Sequence, residues 1–439
     1  MNRQSQNILL LCGSFFFYGY ITPWFCLLLA ASIIVDFHCG KAIYREVNRK
    51  KYLVLSIVFN LSLLAVFKYY NFFITNFVDL FNLIGIEPSI TVLNILLPVG
   101  ISFYTFQTLS YTIDIYRRKL KPIDDFIGFA VFVSFFPQLV AGPIERASNM
   151  LPQILATRNV DQADISQGIY LIMRGYVKKL VVADNVAIYV DKIFLLETGN
   201  PLMIAVGSAG FAIQIYADFS AYTDIARGSA RLLGIRLMEN FTSPYLAWSP
   251  SEFWRRWHIS LSSWIRDYLY IPLLGSQSPT KARALVMLLV TMGLSGLWHG
   301  AAWNFVVWGL YHGLLLAIYH SLGFGGKTMP KSLPGKLVAI LIMLILTTFG
   351  WALFRTPDLN WLYLSLFGAD ATITPESIDS AVYLGALFVF FSLPLYLYRL
   401  PIQNIRLQSL WVFLCVILPV ILITVFHQES GDAFIYFQF

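Results

Sequence analysis

Two histidines in tryptophan-rich segments are the residues best suited to proton-transfer chemistry. His299 lies in Gly296-Leu-Trp-His-Gly300, between two strongly apolar stretches. An ionisable side chain at membrane depth is costly and is a functional candidate by default. Burial also keeps imidazole neutral, which is the form that can accept a proton from a hydroxyl group. A structural histidine bonded to a neighbouring carbonyl is the alternative.

The second histidine belongs to an aromatic segment that runs from Glu252 to Tyr268. Read as one helix, the segment places on a single face Trp254, Trp257, His258, Leu261, Trp264, Ile265 and Tyr268. This pattern predicts an amphipathic helix at the membrane interface or along a cavity wall. On its polar side, Arg255 and Arg256 could bind the phosphates of a donor. An interfacial anchor with His258 as a packing residue is the alternative.

Other polar residues in apolar stretches are expected to serve packing. His312 lies about 220° around a continuous helix from the first histidine, so it should face elsewhere. Asp224 and Arg227 have the i, i+3 spacing of an internal ion pair. Buried polar groups usually belong to structural networks, so Asp218 and Gln107 are predicted to be structural or cavity residues.

The sequence lacks the common motifs of other catalytic classes. Asp36-Phe-His-Cys39 is a weak metal-like cluster with no second group of ligands, so no metal site is predicted. The chain has no glycine-rich phosphate loop, GxSxG elbow or HExxH pair. A serine nucleophile or a zinc protease therefore has no support.

The composition places these residues in a membrane protein. Of 439 residues, 57% are hydrophobic and only 13% are charged, whereas a soluble protein has roughly a quarter charged. The net charge of +7 comes from basic clusters in short loops, so nucleic-acid binding is not expected. None of the four cysteines forms a CxxC pair, and no disulfide framework is predicted.

Apolar runs long enough to cross a bilayer recur along the whole chain. They lie near 52–70, 92–115, 203–220, 282–300, 302–321, 336–354, 381–398 and 408–427. The opening run, 8–37, is read as retained and holds one tilted span or two short ones broken at Pro23. Residues 126–141 and 165–197 are apolar but interrupted, which suits re-entrant or buried elements. The sequence predicts an all-α polytopic protein of about ten to twelve transmembrane or re-entrant helices, forming one domain over 1–439.

Two further features support this layout. The pattern from 282 to 321 is too long for one crossing, so the chain should turn near His299, where Gly293, Gly296 and Gly300 permit close backbone approach. Two spans separate the basic cluster at 41–51 from that at 117–121. Two spans also separate the cluster at 281–283 from that at 327–336, and two more precede the cluster at 399–406. All of them can therefore lie on the cytoplasmic side at once.

At its two histidine segments the chain resembles the membrane-bound O-acyltransferase family, in the branch of the alginate O-acetyltransferases. The similar segments are Trp254-Arg-Arg-Trp-His-Ile-Ser-Leu-Ser, Arg266-Asp-Tyr-Leu-Tyr-Ile, Gly296-Leu-Trp-His-Gly300, Leu97-Pro-Val-Gly-Ile-Ser-Phe-Tyr104, Ala141-Gly-Pro143, Tyr216-Ala-Asp-Phe-Ser220 and the ending Phe434-Ile-Tyr-Phe-Gln-Phe439. The resemblance implies that His299 is the essential catalytic base and His258 the second catalytic histidine. It also implies a helical bundle with a central cavity that contains histidine.

The resemblance further implies a bacterial inner-membrane enzyme. Members of this branch pass an acyl group, usually acetyl, from a cytoplasmic thioester towards an extracytoplasmic polymer such as alginate or another exopolysaccharide. The donor would be acetyl-CoA or an acyl carrier thioester, with no bound cofactor. A periplasmic O-acetyltransferase is the expected partner, and a polysaccharide synthase complex is a further candidate.

Acyl transfer from a thioester requires that water be kept out, because water would hydrolyse the donor. A dry cavity could be lined by Trp254, Trp257, Trp298 and Trp303. Asn304 joins the two arginines in the predicted substrate-binding set. Two alternatives remain at this point. The teichoic-acid D-alanylation branch shares the architecture and both histidines, and a transporter or conduit would explain buried polar residues but not the two Trp-His motifs.

Overall fold

The computed structural model of the chain describes residues 1–20, 22–45, 47–88, 90–93, 95–275, 280–323, 332–369, 371–397, 408–428 and 434. Throughout these ranges the regular structure is helical, as predicted, and contains no β-strand. The chain divides into two compact units. One comprises Met1–Asp161 with Ala230–Met238, and the other Gln162–Ser229 with Glu239–Phe439.

Eight α-helices form most of the first unit. They are α1 Arg3–Gly19, α2 Phe25–Arg45, α3 Arg49–Leu64, α4 Tyr70–Leu83, α5 Ile101–Tyr116, α6 Phe126–Ser134, α7 Phe136–Leu139 and α8 Ala147–Ile154, and a π-helical turn at Ala65–Tyr69 joins α3 to α4. The opening run is thus two helices with a break that contains Pro23, one of the two alternatives expected. The interrupted stretch at 126–141 forms the short α6 and α7, which are almost fully buried.

The predicted span at 92–115 is wrong in its first half. Only Ile101–Tyr116 is helical, and the described residues between Leu83 and Ile101 form turns and irregular backbone. Proline at position 98 cannot donate a helical hydrogen bond. Gly100 has a φ of +80°, and a Cβ atom there would collide with the carbonyl oxygen of Leu139. The apolar side chains of this stretch are mostly exposed, Val92, Leu93 and Leu96 among them, and they do not continue α5 into a longer helix.

A buried polar network joins α2, α3 and α5. The carboxylate of Asp36 is fully buried and accepts hydrogen bonds from Ser56 Oγ at 2.6 Å and Asn60 Nδ2 at 2.8 Å. Such a satisfied network fixes how neighbouring helices pack, because a partly satisfied one would be costly. Asp36 of the metal-like cluster therefore serves helix packing in the first unit, whereas His38 of the same cluster is exposed.

The second unit contains the remaining helices. They are α9 Gln162–Tyr176, α10 Asp184–Phe194, α11 Pro201–Leu232, α12 Pro250–Arg256, α13 Ile259–Ile265, α14 Ile271–Leu274, α15 Lys281–His299, α16 Trp303–Ser321, α17 Leu333–Arg355, α18 Leu359–Phe367, α19 Pro375–Leu397, α20 Gln408–Val412 and α21 Leu418–Phe426. The stretch at 165–197 becomes α9 and α10, joined without a gap by a π-helical segment at Val177–Ala183.

The helices α15 and α16 form a tight hairpin with its turn at residues 300–302, so the predicted bend near His299 is confirmed. A Cβ atom at Gly296 would collide with the carbonyl oxygen of Phe305, and one at Gly309 with that of Met292. Close approach of the two backbones therefore requires glycine at both positions. This hairpin fixes the position of His299 at the end of α15.

Six helices of the described residues are long and apolar enough to cross a membrane. They are Phe25–Arg45, Arg49–Leu83, Pro201–Leu232, Lys281–His299, Leu333–Arg355 and Pro375–Tyr396. The 19 residues of α16 occupy the predicted run at 302–321. The basic cluster at 399–406 and most of the cluster at 327–336 lie outside the described residues, as does the end of the chain except Phe434.

Candidate active site

The aromatic segment around His258 is two helices rather than one. α12 ends at Arg256, and α13 begins at Ile259. His258 has φ 42° and ψ 55°, a left-handed conformation that only a strong tertiary context imposes on a histidine. The predicted continuous helix, and the single face that it implied, are therefore wrong.

Asn240 stabilises this break from a distant part of the chain. Its backbone oxygen accepts a hydrogen bond from Ile259 N at 3.0 Å, and its side-chain oxygen accepts one from Ser260 N at 3.1 Å. These bonds satisfy donors of the first turn of α13, which would otherwise lack partners. These tertiary hydrogen bonds stabilise the break in spite of the helical sequence pattern, and His258 is completely buried.

His299, the last residue of α15, lies in an aromatic environment and is only 5% exposed. The ring centroids of Trp298, Trp308 and Phe354 are 4.9, 5.1 and 5.6 Å from that of its imidazole. All three ring contacts are close to edge-on. This arrangement excludes most water from the imidazole.

The two predicted catalytic histidines both contact one indole, that of Trp298. The His258 ring is 6.2 Å from Trp298, whose own ring is 4.9 Å from His299. His258 lies outside the six spanning helices, and burial lowers its pKa well below the usual range, with His299 adding to the effect. His258 is therefore neutral near pH 7.

His312 belongs to the same aromatic cluster, so the prediction that it faces elsewhere is wrong. Its ring centroid is 5.0 Å from that of Trp308, the indole that also contacts His299. The helical-wheel estimate assumed one continuous helix, but a turn separates the two histidines. His312 is completely buried and is also 5.2 Å from Trp254 and stacked 5.9 Å from Phe253.

Three of the four predicted lining tryptophans join this cluster. Trp298 contacts both histidines, Trp254 packs 5.8 Å from Trp308, and Trp257 is 1% exposed with its ring 4.9 Å from Trp351. Trp303, at the start of α16, is instead 55% exposed. Its position gives no support to a role in keeping the site dry.

The two arginines of the aromatic segment are held by one carboxylate. Glu252 accepts from Arg255 at 2.7 Å and from Arg256 at 2.7 Å. Both pairs lie within α12 or at its end, at i, i+3 and i, i+4 spacing. With their charges partly neutralised in this way, the arginines are weaker candidates for donor phosphates than the sequence suggests.

Asn304 and Gln107 both make structural hydrogen bonds. The amide nitrogen of Asn304 donates to the carbonyl oxygens of Phe354 at 3.2 Å and Thr356 at 3.4 Å, which fastens the start of α16 to the end of α17. In the first unit, Gln107 Nε2 donates to the carbonyl oxygen of Phe132 at 2.6 Å. These bonds account for polar atoms that the sequence offered for substrate or cavity contact.

The acidic residues of α11 form buried ion pairs with the α9–α10 segment. Asp218 pairs with Lys179 at 3.0 Å. Asp224 pairs with Arg174 at 2.5 Å and with Lys178 at 2.6 Å. The predicted pair between Asp224 and Arg227 is therefore wrong. Arg174 and Lys178, which are far from Asp224 in the sequence, occupy its carboxylate, and Arg227 pairs with Glu239 at 3.1 Å.

Two cavities of the second unit lie close to the aromatic cluster. One, of about 360 Å³, is largely apolar and includes Trp254, Thr291 and Ser295 in its wall. The other, of about 330 Å³, is polar and is lined in part by Phe241, whose ring stacks 6.5 Å from His258. Neither His258 nor His299 lines these two cavities.

Three residues of the site escaped the sequence analysis. Trp308 and Phe354 complete the aromatic surroundings of His299, and Asn240 fixes the backbone at His258. Trp308 lies within five residues of the predicted set, so its aromatic character was a usable signal. Nothing local marks Asn240. Within the described ranges, no group of three or more metal-ligating side chains occurs.

Comparison with known proteins places the chain among enzymes. The sequence profile of the membrane-bound O-acyltransferase family matches residues 10–322. The chain is 37% identical over 417 residues to the probable alginate O-acetylase AlgI of Pseudomonas aeruginosa, a match that covers 91% of this chain and 78% of the relative.

Two further relatives act on other acceptors, according to their names. The peptidoglycan O-acetyltransferase of Helicobacter pylori is 34% identical over 392 residues, which cover 82% of this chain and 72% of that protein. The teichoic acid D-alanyltransferase of Bacillus subtilis is 28% identical over 273 residues, or 60% of this chain and 69% of that protein.

Proposed function

The chain belongs to the membrane-bound O-acyltransferase family, and we propose that it passes an acetyl group from a cytoplasmic thioester to hydroxyl groups of an extracytoplasmic polysaccharide, with His299 as the catalytic base. Membership is shown by the family match over residues 10–322 and by relatives above 30% identity over most of the chain. The protein is accordingly a multi-pass membrane O-acyltransferase.

The names of the relatives support acetyl as the acyl group and a polysaccharide as the acceptor. Two relatives above 30% identity are named for O-acetylation, one of alginate and one of peptidoglycan. Both acceptors are glycan polymers outside the cytoplasm. For this chain we propose the bacterial inner membrane as its location, a periplasmic O-acetyltransferase as its partner and a polysaccharide synthase complex as a further one.

The burial of His299 among aromatic rings is the observation that carries the proposed mechanism. The imidazole is 5% exposed and lies between Trp298 and Trp308. Desolvation favours the neutral imidazole, which is the form a general base must have. The same apolar surroundings exclude the water that would hydrolyse a thioester.

The reaction then balances as follows. Neutral His299 takes the proton of an acceptor hydroxyl group. The oxygen of that hydroxyl attacks the carbonyl carbon of the thioester. The carbon–sulfur bond breaks, an ester forms, and the imidazolium returns its proton to the departing thiolate. The donor would be acetyl-CoA or an acyl carrier thioester. His258, which also contacts Trp298, would assist as the second histidine.

Replacement of His299 tests this assignment in cells. His299→Ala should abolish acetylation of the surface polymer, measured as ester acetate released by alkali, while the membrane content of the protein stays normal. His320→Ala is the matched control, because His320 is exposed near the end of α16 and distant in sequence from the aromatic cluster. Normal acetylation in the His299 variant would refute the assignment.

A D-alanyl group is the alternative cargo, favoured by the 28% identity to a teichoic acid D-alanyltransferase. Membranes that contain the protein can be supplied with labelled acetyl or labelled D-alanyl thioesters. Transfer of acetyl label to a glycan supports the proposed function. Transfer of D-alanyl label alone would replace it.

A further inference from the structure

A polar cavity of about 330 Å³ in the second unit has no part in the mechanism above. It lies beside the C-terminal half of α11, next to the segment that follows Glu239. Its charged lining residues are Arg174, Lys178, Asp224, Arg227 and Glu239. The volume is at the small end of the range of about 300–1,000 Å³ that is typical of ligand sites.

The charges of this cavity suit an anion. Asp224 accepts from Arg174 Nε at 2.8 Å and from Lys178 Nζ at 2.6 Å, and Arg227 pairs with Glu239 at 3.1 Å. Three cations therefore face two carboxylates, which leaves one positive charge in excess. Lys178 is only 8% exposed, so its field is weakly screened.

Two buried polar groups of the lining also lack the partner that an anion would supply. Thr223 is 2% exposed and Asn240 is fully buried. Neither the Thr223 hydroxyl nor the Asn240 amide nitrogen has a hydrogen-bond partner among the residues that the structure describes. A buried donor is costly unless some group accepts its hydrogen bond. A ligand with several acceptor oxygens would satisfy both.

The cavity adjoins the active site through Asn240 and Phe241. Asn240 holds the backbone of Ile259 and Ser260, directly after His258. The Phe241 ring stacks 6.5 Å from the His258 ring. A ligand in the cavity is thus separated from His258 by a single layer of side chains.

Six of the thirteen residues that line the cavity lie in a stretch of the chain that the positive-inside rule assigns to the cytoplasm. Residues 233–280 connect the spans Pro201–Leu232 and Lys281–His299, and their described part contains only short helices. Together with the adjoining span ends, residues 227–283 carry eight Arg or Lys residues against three Asp or Glu residues. This excess predicts a cytoplasmic location, which is where a thioester donor is available.

We propose that this cavity binds the phosphate of the phosphopantetheine arm that carries the acyl thioester. The proposal rests on the proposed function, because it takes the donor to be a cytoplasmic thioester. The phosphopantetheine arm is common to coenzyme A and to acyl carrier proteins, so the shared group is what the cavity recognises. Thr223 and Asn240 donate hydrogen bonds to the phosphate, and the excess positive charge neutralises it.

Binding of the bare arm tests the proposal without acyl transfer. The full chain in lipid nanodiscs is titrated calorimetrically with 4′-phosphopantetheine and with pantetheine, which lacks the phosphate. We expect the phosphorylated arm to bind at least about ten-fold more tightly, as is typical of hydrogen bonds to a charged group. Competition by acetyl-CoA or by a holo acyl carrier protein then identifies the source.

Thr223→Val removes one hydroxyl with little change in shape. It should weaken binding of 4′-phosphopantetheine about ten-fold and leave binding of pantetheine unchanged. Asn240→Asp is the second variant, since it keeps the oxygen that accepts from Ser260 and replaces the donor with a negative charge. The matched control is Thr291→Val, because Thr291 is also buried without a hydrogen-bond partner among the described residues but lines the other cavity.

Equal affinity for the two arms, or equal weakening by Thr223→Val and Thr291→Val, would overturn the proposal. So would binding of a uronate oligosaccharide that depends on Thr223 when phosphopantetheine does not bind. Failure of the proposed function can be distinguished from failure of the phosphate site. His299→Ala should still bind 4′-phosphopantetheine, so loss of the phosphate preference and loss of acetyl transfer are separate results.

Discussion

The contact between α15 and α16 makes a quantitative prediction about how His299 is positioned. A Cβ atom added at Gly296 would overlap the carbonyl oxygen of Phe305, which is backbone and cannot move alone. The two helices must then separate. Because Gly296 lies only three residues before His299, on the preceding turn of α15, the imidazole shifts with the helix.

The expected cost follows from the kind of overlap. Adding a methyl group to a well-packed interior typically costs about 1–3 kcal/mol of stability. A displacement of about 1 Å at a catalytic group can cost about a hundred-fold in rate. Gly296→Ala should therefore lower the thermal stability of the detergent-solubilised protein and reduce acetyl transfer about a hundred-fold.

Gly293→Ala is the matched control on the same helix. The nearest atom to a Cβ there is Leu310 Cδ2 at 3.2 Å, the end of a flexible side chain that can turn away. Stability is followed by tryptophan fluorescence on heating, and activity by acetate transferred to polymer. Equal activity of Gly296→Ala and wild type, or equal damage from the two alanine variants, would refute this reasoning.

Three other perturbations test separate parts of the structure. Asp224→Asn removes the counter-ion of two buried cations and should cost about 3–5 kcal/mol in the free energy of unfolding, whereas Glu239→Gln, in a more exposed pair, should cost at most about 1 kcal/mol. The pKa of His258 is lowered in the folded state, so below about pH 6.5 the unfolded chain binds a proton that the folded protein excludes. The free energy of unfolding should therefore fall by up to about 1.4 kcal/mol for each pH unit below that value. His258→Phe should flatten this slope when melting is measured as a function of pH. Trp303→Ala should retain most acetyl transfer because Trp303 is 55% exposed, whereas Trp298→Ala should lose it, and similar activity of the two would count against the assigned site.

Apolar patterning was sufficient to predict the fold class. The helical runs from Arg49, Pro201, Lys281, Leu333 and Pro375 correspond to predicted spans, because lipid-facing helices must be apolar along their length. The run at 92–115 failed for a different reason. Proline and a left-handed glycine keep the helix from beginning before Ile101, and the exposed irregular backbone ahead of it is as apolar as a span.

The site was predictable where chemistry and local sequence coincide. A histidine flanked by tryptophan and glycine marked the turn at His299, and the structure places that residue at the predicted bend. The geometry of His258 was not predictable, because its left-handed backbone depends on hydrogen bonds from Asn240, eighteen residues earlier. The position of His312 in the aromatic cluster was missed for a similar reason, because the helical wheel was drawn through a turn that separates His312 from His299.

The partners in buried ion pairs were also not predictable from local sequence spacing. The spacing of Asp224 and Arg227 favours a pair within α11, yet Asp224 binds two cations of the α9–α10 segment. Local spacing describes which residues can meet on one helix. It does not describe which buried charges a neighbouring helix brings closer, and those are the stronger partners because both are desolvated.

Transfer of a labelled acetyl group by the reconstituted protein tests the central claim most directly. Proteoliposomes that contain the wild type or His299→Ala are given a labelled acetyl thioester, a glycan acceptor and the periplasmic partner, and ester label and free thiol are measured together. The account predicts matched release of thiol and labelling of the glycan by the wild type, with a loss of about a hundred- to ten-thousand-fold in the variant. Equal rates for the two proteins would contradict it.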